Sequence, residues 1–340
     1  MRSGIMRRLA LMGMALGLLA LGLPARAAVP LTMQLEWIPS GFHAGAFLAL
    51  QKGWFKDAGL DVTIADGTGS STAVQLVANG KFDIGHASLS TMAFARRKGL
   101  PVIAIAGIFR KCDIGLMVAK ASRFRAPKDL AGATIVTSPG SFEIPFVDAF
   151  LANGGLTRSQ VHILSVDGSA KTSTFIQGHV DGVFVSAPLQ MPLVEAKRPA
   201  RTLLFSDAGL KLPSVGLFTT PAVLKAKGDA VRKFASIVAG AWVYIEHGHV
   251  DEATRAILAL RPNSRINPKI LAEQIRESFD YLRSPETAKL PVGFQSDEEW
   301  GLAIKAMETS GVIAKGSHPA DYYTNAYLDR ALIEKTSRGS

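Results

Sequence analysis

The stretch LTMQLEW (31–37), FHAGAFLALQK (42–52) and LDVTIA (60–65) reads as strand, helix and strand, with Gly53 just past the helix end. The same order continues outward. A loop at Asp66–Ser70 leads to a helix over Thr72–Asn79, followed by a short strand at Phe82–Gly85, a helix at Leu89–Lys98 and a strongly apolar strand at Val102–Ile108. Strands alternating with helices of about ten residues predict a doubly wound α/β lobe with a mostly parallel sheet. The pattern restarts after Cys112. Strands are expected at Ile114–Ala119, Ala133–Thr137, Val161–Ser165 and Gly182–Val185, and helices at Ile144–Asn153, Thr172–Gly178 and Pro188–Lys197.

From Pro221 the chain is mainly helical, with apolar residues at helical spacing over Ala230–Gly248 and Asp251–Leu260. Further helices are expected near Pro268–Tyr281, Asp297–Ser310 and Asp321–Lys335. Two lobes and a wrapping helical tail form a ligand trap. Crossings near Cys112–Leu116 and Val215–Thr219 make a two-stranded hinge, and hinge closure around a solute is the motion such a trap uses. The expected division is a leader at 1–27, the first part of lobe 1 at 28–112, lobe 2 at 113–216, and a return to lobe 1 with the helical tail at 217–340.

The leader is read from Arg2, Arg7 and Arg8, an uncharged apolar run from Leu9 to Leu23, the break at Pro24 and the small residues Ala25 and Ala27. The run is shorter than the roughly 20 apolar residues a bilayer span takes. A cleaved signal peptide, a mature chain from Ala28 and a periplasmic location follow as expectations, by the general secretory route rather than the twin-arginine one. Loss of Arg2, Arg7, Arg8 and Arg26 lowers the formal net charge from +10 to about +6. The remaining basic residues are scattered without interleaved aromatics, which argues against nucleic acid as a partner. Cys112 is the one cysteine, so neither an internal disulfide nor a lipid anchor after the apolar run is available.

Several segments carry a resemblance. They are LEWIPSGFHAG (35–45), QKGWFKDAGLDV (51–62), ANGKFDIG (78–85), PKDLAG (127–132) and PADYYTNAYL (319–328). In this order and spacing the chain resembles the thiamine-pyrimidine, sulfonate and nitrate solute-binding proteins of ABC transporters. That resemblance implies a periplasmic binding protein-like fold of type II, a small-molecule solute, and an inner-membrane permease and ATPase as partners. It also implies a monomer, with no cofactor and no catalytic residue. The family's eukaryotic branch makes the thiamine pyrimidine. Its cofactor-binding lysine would fall at Ala87 and its donor histidine at Thr91, and its cysteine-rich cluster has no counterpart here. An exported sensor module and a pyrimidine-synthase-like enzyme stand as alternatives.

Ligands of open α/β sheets bind beyond the strand carboxyl ends, often against helix amino-termini. Trp37 offers a π-face for a planar solute, and His43 a hydrogen-bonding ring at the first helix start. Gly69, Ser70 and Ser71, and their second-lobe equivalents Ser138, Gly140 and Ser141, lie in strand-to-helix loops suited to an anionic group. Ser88 and Ser186 stand at strand ends. Asp113 and Glu143 are acids able to accept from an amine. Pyrimidine-binding relatives often have an acid where this chain has Ser186, so the resemblance there shifts weight toward sulfonates, carboxylates and other aromatics. His43, His86, His162, His179, His247, His249 and His318 show no metal-ligand spacing, and neither a G-x-S-x-G elbow nor a Walker loop occurs. The chemistry expected is capture of a small planar or anionic solute, with catalysis and resident metal absent.

Overall fold

The structure, a computed structural model, describes residues 27–264 and 266–340. The expected leader lies outside these residues apart from Ala27. The first lobe runs β1 (Val29–Gln34), a 3-10 turn at Gly41–His43, α1 (Ala44–Gln51), α2 (Trp54–Asp57), β2 (Leu60–Ala65), α3 (Ser70–Ala78), β3 (Ile84–Ser88), α4 (Leu89–Arg97) and β4 (Ile103–Gly107). The second runs β5 (Ile114–Ala119), β6 (Thr134–Thr137), α5 (Val147–Ala152), β7 (His162–Ser165), α6 (Gly168–Ile176), β8 (Gly182–Ser186), α7 (Ala187–Val194) and β9 (Ala200–Leu204). The chain then returns through β10 (Val215–Thr219) to α8 (Pro221–Glu246), α9 (Val250–Leu260), α10 (Pro268–Glu277), α11 (Asp297–Thr309) and α12 (Arg330–Ser337).

Two five-stranded sheets result, ordered β2-β1-β3-β10-β4 and β7-β6-β8-β5-β9. The sequence pattern predicts mostly parallel sheets, and both are mixed. β10 runs antiparallel to β3 and β4, and β5 runs antiparallel to β8 and β9. These are the strands that enter a sheet from the other lobe. Strands native to a lobe deliver their carboxyl ends to the cleft, whereas an incoming strand begins there. Asp113, just ahead of one incoming strand, therefore joins the cleft from its hinge side, and the buried Ser214, just ahead of the other, bonds to it.

Two local expectations fail. The edge strand β9 carries little apolar alternation (ARTLL) and was not anticipated. The helix expected over Asp321–Lys335 is confined to α12, because the preceding stretch pairs elsewhere. There the Thr324 amide donates to the Ala104 carbonyl, and the Asn325 side chain bonds the Gln295 backbone on both sides.

The long helix α8 starts on two local signals. The Thr220 hydroxyl accepts from the Val223 amide, and Pro221 occupies the first turn, where its missing N–H costs nothing. Its buried face carries Phe234, Val238 and Trp242 against the first lobe, with Trp242 edge-on to Phe109 at 4.9 Å. Each such fully buried large side chain contributes about 1.5–3 kcal/mol. A second apolar cluster runs from one lobe into the other. It joins Val74, Leu89 and Met92 of lobe 1 to Phe146, Phe150 and Phe184 of lobe 2.

Candidate functional site

The strand ends of both lobes enclose a cleft of about 890 Å³. On the first wall, Gly67 lets the β2 exit pass the β1 exit. A Cβ there would lie 1.9 Å from the Leu35 carbonyl oxygen. The lobes already touch at the cleft rim. The Ser71 amide donates to the Gly140 carbonyl at 3.2 Å, and the Thr91 hydroxyl donates to the Phe142 carbonyl at 3.3 Å. The half-buried Trp37 reaches across onto Gly168, where a Cβ would stand 2.3 Å from the indole.

Two buried carboxyls face this space. Glu36 follows β1 and receives His86 Nδ1 at 2.5 Å and His43 Nε2 at 3.2 Å. The Ser40 amide donates to His43 Nδ1 at 3.0 Å, so Nε2 carries the ring proton and donates it to Glu36. Burial opposes ionisation of Glu36, but His86 and His43 outweigh it and hold the carboxyl well below the usual range. Burial lowers His43 below its ordinary 6.5, against the pull of Glu36. Asp113 moves the other way. Burial raises it and the nearby Glu36 charge adds to the rise, against the Ser214 hydroxyl, which donates to it, and the Ser186 hydroxyl beside it.

Lys171, in the first turn of α6, lines the second wall and donates to Glu143 Oε1 at 2.5 Å. Both partners are almost wholly buried, and Glu143 Oε2 has no partner among the described residues.

Of the residues singled out from sequence, Trp37, Gly69, Ser70, Ser88, Asp113, Gly140, Ser141 and Ser186 line the cleft. His43 lies behind Glu36 rather than on the wall. Ser71 enters the rim seam through its amide, and the Ser138 hydroxyl is buried without a partner among the described residues. Sequence reasoning did not single out Glu36, and it gave no role to His86 or Lys171 although both fall in segments expected at the cleft. Glu36 directly precedes Trp37 in the sequence. His86 shares a strand face with Ser88, two residues on, so period-two alternation pointed to it. Ser186 stands where the resemblance would put an acid, and the carboxyl of Asp113 lies beside it in the cleft.

Glu36, His43 and His86 also offer atoms within 4.8 Å of one another, a trio of metal-binding types that the linear spacing concealed. The hydrogen-bond pattern spends these atoms on each other. A metal at His43 Nε2 would displace the proton that the Ser40 amide forces onto that nitrogen. The trio is built as a carboxylate held by two N–H donors.

A family model described as NMT1/THI5 like matches residues 41–249. The formylaminopyrimidine-binding protein of Halalkalibacterium halodurans is 25% identical over 283 residues, covering 81% of this chain and 84% of that protein. The 4-amino-5-hydroxymethyl-2-methylpyrimidine phosphate synthase THI11 of Saccharomyces cerevisiae is 34% identical over 327 residues, covering 90% of each. Among solved structures, the alkanesulfonate-binding protein SsuA from Xanthomonas axonopodis pv. citri, bound to MOPS, superposes with a TM-score of 0.67 at 16% identity over 88% of this chain and 99% of that one. The periplasmic nitrate-binding protein NrtA from Synechocystis PCC 6803 gives a TM-score of 0.65 at 12% identity, over 92% and 89%. At these identities the two structures show a shared fold.

Proposed function

This chain belongs to the NMT1/THI5-like family, and from that premise we propose that it is the solute-binding component of an ABC-type importer. It works in the periplasm, holds one small planar solute between its lobes and presents the closed form to a permease. The observation that carries this reading is the cleft itself. It is enclosed by both lobes, flanked by Trp37 and walled by glycine-rich loops and serines, as a trap for a small molecule requires.

Binding is favoured over synthesis by the positions where the resemblance would put the synthase's chemistry. Residue 87 is a fully buried alanine in β3, and the Thr91 hydroxyl is engaged with the Phe142 carbonyl. The test is a thermal-shift screen of the mature protein against pyrimidines, thiamine, riboflavin, sulfonates and aromatic carboxylates. It is paired with mass spectrometry of solute released from the purified protein. A shift with one class, or one recovered solute, supports the receptor. Chemical turnover of any panel member would refute it.

A further inference from the structure

We propose that the cleft selects solutes bearing a protonated amine or amidine, and that Glu36 and Asp113 are the residues that set this selectivity. The inference rests on the receptor reading above and adds the chemical class of the solute.

Strand-to-helix loops and helix amino-termini predict an anion site. In the folded chain one amide at each of these helix starts is already engaged. At α3 the Ser71 amide donates to Gly140, and at α4 the Leu89 amide donates to the Ser214 carbonyl at 2.8 Å. At α7 the Ala187 amide donates to the Asp113 carbonyl at 2.9 Å. At α6 the Ser169 amide is taken by the Asp167 side chain, also at 2.9 Å. Among the described residues lining the cleft the one basic side chain is Lys171, and Glu143 holds it. An anion entering here finds hydroxyl donors but no unpaired cation among the described residues lining the cleft.

A cation finds the reverse. Glu36 is kept ionised by two imidazole donors and still lines the cleft with acceptor capacity to spare, since a carboxylate offers about four lone-pair sites. Asp113 lies on the hinge side, close enough to feel the Glu36 charge, with the Ser186 hydroxyl beside it. Burial and the Glu36 charge oppose ionisation of Asp113, and a bound cation favours its charged form. The flanking Trp37 adds a face for a flat or cationic ring. A cleft of about 890 Å³ admits more than a single ring, so a bicyclic probe suits it.

Calorimetric titration with matched quinolines separates charge from shape. The set is 4-aminoquinoline, a cation at neutral pH, neutral quinoline, and quinoline-4-carboxylate. The expected order is amine tightest, by about tenfold or more over quinoline, with the carboxylate weakest. Glu36→Gln and Asp113→Asn should each weaken the amine at least about tenfold while quinoline stays within about threefold. If Glu36→Gln fails to fold because His43 and His86 lose their acceptor, Asp113→Asn carries the test alone. A carboxylate that binds as well as the amine overturns the selectivity and leaves the receptor standing. Equal losses for all three probes in the variants overturn it as well. Silence from every quinoline also overturns it, and the receptor reading is then judged by the solute released from the purified protein.

Discussion

Glu36 and His43 are seven positions apart in the chain, and the burial of His43 beside Glu36 has a measurable consequence. The folded state resists protonating His43 because burial lowers it below 6.5, whereas the unfolded chain takes that proton at its ordinary value. Stability from His43 is therefore complete above about pH 6.5 and is lost as the pH falls toward its lowered folded value, with a slope of up to about 1.4 kcal/mol per pH unit. Asp113 acts with opposite sign, since its raised folded value contributes stability at low pH that fades as the pH climbs through that value. The urea midpoint should fall between pH 7.5 and 5.5, and His43→Gln should flatten that fall. An unchanged pH profile in the variant would remove His43 from the account. Trp37→Ala should weaken the binding of an aromatic solute about tenfold or more, and Trp37→Phe should restore most of it. Calorimetry with the solute found in the screen decides this.

At the scale of elements, Gly168 opens α6 where the Trp37 indole crosses from the other lobe. Gly168→Ala would place a methyl carbon 2.3 Å from the ring, so the indole or the lobe must retreat. The expected outcome is weaker solute binding with little change in the melting temperature of the solute-free protein. In α10, the Asn267 side chain accepts from the Lys269 and Ile270 amides, and Asn267→Ala should cost about 1 kcal/mol by chemical denaturation. Elements were legible wherever one local pattern governed. LDVTIA is β2 to the residue, and IGLMVA (114–119) is β5. They were illegible where a distant partner governed. β9 exists because β5 offers it an edge, and 322–329 leaves the helix because Ala104 and Gln295 bind its backbone and Asn325. Direction was hidden too, because the apolar pattern of β10 reads the same parallel or antiparallel.

For the molecule as a whole, closure and solute binding share one free energy. A solute at about 100 times its dissociation constant should add roughly 2.7 kcal/mol, a rise of several degrees in melting temperature. The apolar cluster joining Val74 and Met92 to Phe146 and Phe150 lies beside the Ser71–Gly140 and Thr91–Phe142 contacts, so opening the cleft must shift all of them. Small-angle scattering should show a more compact particle with solute than without, and equal radii would argue against a hinge. By itself the sequence determined the two-lobed plan, the helical tail and most of the loops that meet at the cleft, because these follow from local periodicity and from glycines and serines at strand ends. Only the tertiary structure decided the charge of the cleft. Glu36, His43 and His86 meet because β1 and β3 lie side by side, and Asp113 faces them because β5 enters its sheet against the grain. The same packing turned one amide at each of four helix starts toward a protein acceptor, and Ser71 of one cleft loop toward Gly140 of the other. Neighbour relations across tens of residues are set by sheet order and strand direction, and no local pattern encodes either.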